Sequence, residues 1–103
     1  MNNFEEEIHL ILESKKERMI DIRRYLHAHP ELSFKEQKTA KYIAEFYQEL
    51  DCKVEENVGG YGVVVEIDSG KPGKNVALRA DFDALPIQEE TGLPFASENP
   101  GVM

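Results

Sequence analysis

An α/β arrangement, two N-terminal helices followed by the first strands of a mixed sheet, is predicted by three features of the sequence. Residues 3–50 carry apolar side chains at helical spacing, interrupted once by Pro30. Residues 52–81 switch to short β-branched runs separated by glycine-rich turns. Beyond Asp83 the pattern is lost, although apolar residues stay frequent. Helices followed by strands and then an unpatterned apolar segment describe a sheet that is not finished.

The first helix is expected over 3–28. Phe4, Ile8, Ile11, Leu12, Met19, Ile22 and Leu26 recur at three- and four-residue steps, with charged residues between them. Glu5, Glu6 and Glu7 at its start and Arg23 and Arg24 near its end complement the helix dipole. Pro30 disfavours helical geometry at His29 and stops it. In "ELSFKEQ", Ser33 with Glu36 three residues on reads as a capping box for a second helix over about 34–50. Its apolar face is Ala40, Ile43, Ala44, Tyr47 and Leu50.

Three strands are expected next. "CKVEENV" ends at Gly59-Gly60, and "GGYG" over 59–62 reads as a tight turn, lacking the spacing of a nucleotide-binding loop. "GVVVEI", 62–67, is apolar enough for an interior strand. After the turn "DSGKPGK", "NVALRAD" would place Val76, Leu78 and Ala80 on one face and Ala77, Arg79 and Asp81 on the other. Leu85, Ile87, Leu93, Phe95, Val102 and Met103 then need packing partners. The expectation is that these lie outside the 103 residues rather than across the sheet.

The totals exclude more than they assign. The net charge of −8 disfavours nucleic acid and anionic membranes as partners. No stretch approaches the ~18 apolar residues of a membrane span. The acidic opening "MNNFEEEIHL" lacks the order of a secretory signal, and the single Cys52 suits a reducing compartment, so a cytoplasmic location is expected.

Asp81 and Asp83 are the leading chemical candidates. They stand at the carboxyl end of an expected strand, where ligands collect in open α/β sheets, and at a spacing that lets both reach one metal or water. Arg79 offers the plainer reading of an ion pair, and spacing alone favours it, because ion pairs outnumber catalytic acids. His27 and His29, with Glu31 nearby, form a poor metal set, because helical positions two apart diverge. The better reading is a helix end where histidine meets the terminal carbonyls. Mid-helix His9 shows no partner in the pattern. Cys52 lies among acids and reads as buried rather than nucleophilic, and Glu89-Glu90 reads as solvated surface.

Taken in order, "RRYLHAHPELSFKEQKTAKYI", "GGYGVVVEI", "GKNVALRADFDALPIQEETGLPFAS" and "NPGVM" resemble the metal-dependent amidohydrolases of the aminoacylase and carboxypeptidase superfamily. The nearest branch contains hippurate hydrolase and the indoleacetyl-amino-acid hydrolases. The resemblance covers about residues 19–103 and implies the N-terminal portion of a zinc-peptidase-like catalytic domain, 1–103, incomplete on its own. It places Asp83 at the carboxylate that orients a metal ligand, and Asp81 where other branches carry a ligating histidine. It gives no ligand role to His27 or His29. A His-Ala-Cys-Gly-His-Asp ligand stretch is expected directly after a segment like "NPGVM".

A divalent metal (Zn, Mn, Co or Ni) is therefore implied for the full-length protein, and none for the fragment. The implied reaction is hydrolysis of an N-acyl amino acid or small peptide by metal-activated water, with a glutamate as general base. A homodimer through a lid domain is also implied. The competing expectation is a self-contained, non-catalytic α/β module in which Arg79 and Asp81 form a structural pair.

Overall fold

The computed structural model describes residues 3–103. Helix α1 spans Asn3–Ala28, α2 spans Gln37–Gln48, and strands β1 (Lys53–Val58) and β2 (Gly62–Glu66) form an antiparallel pair. The long helix sets the longest dimension: 26 residues at a rise of about 1.5 Å give about 39 Å, against extents of 47 × 32 × 21 Å. α1 buries none of its residues. Its C-terminal half meets α2 through Tyr25 stacked on Tyr42 at 4.3 Å and Arg18 over the Phe46 ring at 5.1 Å. Of its expected apolar stripe Ile22 and Leu26 are half-buried, and Phe4, Ile8, Ile11, Leu12 and Met19 are exposed.

The start of α2 differs from the expected capping box. The chain makes a turn closed by Lys35 N donating to Leu32 O at 2.9 Å, with Phe34 at a φ of 65°. Ser33 is thereby left four residues short of Gln37, and the N-cap residue Glu36 makes no side-chain capping bond. Glu31 takes the role instead. Its carboxylate accepts from Thr39 N at 2.6 Å, Thr39 Oγ1 at 2.7 Å and Lys38 N at 3.3 Å. Those amides belong to the first turn, where unpaired donors and the helix dipole both attract a carboxylate. Thr39, Ala40 and Ala44 are buried, and α2 packs on both strands of the hairpin. Leu50, expected on the same face, lies beyond the helix and is exposed.

The hairpin turns as expected at Gly59 and Gly60, whose φ values are 61° and 113°. Pairing runs from Lys53↔Glu66 to Glu55↔Val64 and resumes at Val58↔Gly62, so β1 carries one extra residue. Asn57, at φ 58°, absorbs this bulge. Gly62 is required because a Cβ there would sit 2.3 Å from Val58 O.

β2 is not an interior strand among the described residues. It pairs only with β1, and Val64 and Ile67 are exposed. The expected third strand over 75–81 is absent as well: those residues join no ladder, and Val76 and Leu78 are 87% and 98% exposed. An extended segment becomes a strand only when a neighbour takes its N–H and C=O groups, and none of the described residues does so here. The parallel component is one bridge, Leu32↔Ala84, outside the hairpin.

From Ala84 onward the chain folds back, against the end of α1 rather than over the sheet. Leu85 and Met103 exchange both backbone hydrogen bonds at 2.9 Å, and Val102 is buried. Leu85, Ile87, Leu93 and Met103 remain exposed, so the segment is anchored by polar contacts more than by apolar burial.

Candidate functional site

Asp81 and Asp83 line an open cleft of about 460 Å³. Ser33, Phe34 and Glu36 before α2, and Tyr61 at the hairpin turn, line the same cleft. Arg79 Nη2 is 3.4 Å from Asp81 Oδ1, with side chains 91% and 72% exposed. At that length and exposure the pair contributes about 0–1 kcal/mol. The ion-pair reading of Arg79 is thus realised in a weak form, while Asp83 stands exposed beside it. Glu36 adds one feature the sequence did not suggest: its Oε2 is buried without a hydrogen-bond partner.

No three His, Cys, Asp or Glu side chains converge in metal-binding geometry among the described residues. A zinc site takes three or four protein donors, and calcium takes about six to eight oxygen ligands. The two aspartates, with Arg79 against one of them, do not hold such an ion by themselves. These residues therefore do not fit a complete metal centre.

The two histidines at the end of α1 diverge, as their helical spacing requires. His29 Nδ1 meets Tyr25 O at 2.8 Å, the helix-end contact expected, and its Nε2 lies 2.8 Å from Glu98 Oε2. His27 turns elsewhere, placing Nε2 2.8 Å from Glu89 Oε1. Cys52 is half-buried with Sγ 3.1 Å from Tyr47 O, in keeping with a packing role.

Glu89 is the residue that sequence reasoning missed. Instead of solvated surface it has a side chain 2% exposed. It accepts hydrogen bonds from Thr91 Oγ1, from Ser97 N at 2.9 Å and from His27. The Thr91 hydroxyl first, then the Ser97 amide and His27, hold its carboxyl below the ordinary value, against the opposing effect of burial. The apolar richness of 85–103 marks a segment that packs, but no local signal singles out Glu89 within it.

No family model matches the chain. YhaA of Bacillus subtilis (strain 168), which carries an amidohydrolase name, is 50% identical over 103 residues, all of this chain and 26% of that protein. An N-acyl-L-amino acid amidohydrolase of Geobacillus stearothermophilus is 47% identical over 98 residues, 95% of this chain and 26% of that one. The homologues are amidohydrolases and peptidases. Among solved structures, the YxeP protein of Bacillus subtilis, described as a dinuclear metal-binding peptidase of the M20 family, superposes with a TM-score of 0.80 at 44% identity. That match covers 88% of this chain and 26% of YxeP. The two helices and the antiparallel strand pair match the N-terminal portion of that M20 peptidase. The chain spans about a quarter of the length of the relatives it matches. No helix among the described residues is long and apolar enough to cross a membrane.

Proposed function

We propose that residues 1–103 are the N-terminal portion of the catalytic domain of a metal-dependent amidohydrolase. Its substrates are N-acyl amino acids or related small amides and peptides, and its branch is that of hippurate hydrolase and the indoleacetyl-amino-acid hydrolases. The observation that carries this reading is 50% identity to an amidohydrolase-named protein across every residue of the chain. Exposure of Val76, Leu78 and Ile67 supports it against the self-contained module, because a finished domain covers such side chains.

In this reading Asp83 orients a metal ligand supplied from outside the 103 residues, and Asp81 stands beside it. A divalent metal (Zn, Mn, Co or Ni) belongs to the longer protein, where it supplies Lewis-acid and water-activating chemistry. The isolated 103 residues are inert. The longer protein is cytoplasmic and pairs as a homodimer through a lid domain.

The test is hydrolysis of N-acetyl and N-benzoyl amino acids by the longer protein loaded in turn with each of the four metals. Asp83→Asn should lower kcat by about 10–100-fold, the usual cost of losing a residue that orients a metal ligand. Turnover by that variant close to wild type would remove Asp83 from its role. Wild-type protein inert towards every substrate with every metal would remove the function.

A further inference from the structure

The string His27-Ala28-His29-Pro30-Glu31 invites a metal-ligand reading, and the structure employs all five residues differently. His27 pairs with Glu89, and Ala28 O accepts from Glu98 N at 2.8 Å. His29 meets the Glu98 carboxylate at 2.8 Å, and Pro30 O accepts from Asn99 Nδ2 at 3.1 Å. Glu31 O accepts from Ala84 N at 2.8 Å. These five partners all lie in one segment, 84–103, while His29 Nδ1 also meets Tyr25 O and the Glu31 carboxylate caps α2. The break in α1 makes this possible: helix-end carbonyls and the carbonyl of Pro30 have no helical N–H to accept from and are free for another chain segment.

One of the five contacts differs in kind. Glu89 is withdrawn from water with three donors on its carboxylate, so losing His27 leaves a buried charge short of a partner. The His27 ring also meets Phe95 edge-on at 5.8 Å, and Arg24 covers the same Phe95 ring at 4.6 Å. The segment thus docks through an ionisable pair with aromatic packing around it. Asp83 directly precedes Ala84, the first anchored residue, and Leu85 is held in both directions by Met103. Between Asp83 and Glu89 the backbone is tied at Ala84 and Leu85, and the Glu89 side chain is held by His27.

We infer that residues 27–31 are the seat of segment 84–103, and that His27 and Glu89 are positioning residues for Asp83. The inference rests on the role proposed for Asp83. It assigns the histidine-containing string to placing a carboxylate rather than binding an ion.

The experiment compares wild type with His27→Gln, which keeps an N–H donor, His27→Leu, which keeps only bulk, and Glu89→Gln. In the longer protein, His27→Leu should lower kcat on an N-acetyl amino acid by about tenfold or more, with KM within about threefold. His27→Gln should regain at least about a third of wild-type kcat. In the 103-residue chain, amide exchange at Ala84 and Glu98 should quicken by about tenfold in His27→Leu, while the β1–β2 hairpin keeps its protection. Wild-type kcat in His27→Leu, equal losses in the leucine and glutamine variants, or unchanged exchange at Ala84 would each overturn the inference. Should His27→Leu not fold, the same expectations for kcat and exchange apply to Glu89→Gln, which preserves side-chain shape. Wild-type protein without hydrolytic activity defeats the functional reading alone, and exchange in the 103-residue chain then decides whether the seat exists.

Discussion

Glu31→Ala tests how the two helices are joined. The carboxylate accepts from two first-turn amides and from the hydroxyl of Thr39, a residue only 7% exposed. Losing a helix cap costs about 0.5–2 kcal/mol. Leaving a buried hydroxyl unpaired costs about 1–3 kcal/mol where water cannot replace the partner. Glu31 itself is only half-buried, so water recovers part of the second loss and about 2 kcal/mol is the working figure. That corresponds to about thirtyfold in the opening equilibrium of α2. Amide hydrogen exchange of α2 in the 103-residue chain reads this directly, because local opening is measured without requiring global unfolding. Glu31→Gln keeps an acceptor oxygen and loses the charge, so it should cost only about 0.3–1 kcal/mol. An alanine variant within about threefold of wild-type exchange, or a glutamine variant as damaging as alanine, would show that Glu31 does not cap α2.

Two further outcomes are expected. Glu89 has a folded-state carboxyl held below its ordinary value, so its contribution is present above that ordinary value and is lost as pH falls through the folded one. Protection of Ala84 and Glu98 amides should therefore decline as pH drops below about 4.3, and Glu89→Gln should flatten the decline; an identical pH dependence in that variant would assign it to other groups. Leu78→Ser should change the urea stability of the 103-residue chain by less than about 0.5 kcal/mol, because the side chain is 98% exposed. In the longer protein the same change should cost about 2–5 kcal/mol if the rest of the sheet covers Leu78. A large loss in the short chain would show that Leu78 is buried there.

The candidate site was legible in part. Asp81, Asp83 and Arg79 stood out because acids and a base at the end of an apolar run are unusual, and the cleft does bring them together with Glu36. Glu89 was not legible. Nothing in "IQEETG" distinguishes a solvated glutamate from one whose partner, His27, is 62 residues away. The capping error has the same origin. Ser33 has the right spacing for a box, but the turn at Phe34 moves it out of reach, and the more distant Glu31 fills the vacancy.

Local chemistry determined the helical stretch from Asn3, its end before Pro30, and the glycine turn between two β-branched runs. Each depends on neighbours within about four residues, through side-chain periodicity, a missing N–H or a positive φ. Tertiary structure decided the rest: that 75–81 finds no strand partner among the described residues, that most of the apolar stripe of α1 stays exposed, and that "HAHPE" meets the distant segment 84–103. Strand pairing and burial are relations between segments, and a chain carries no local mark of which segment will meet it.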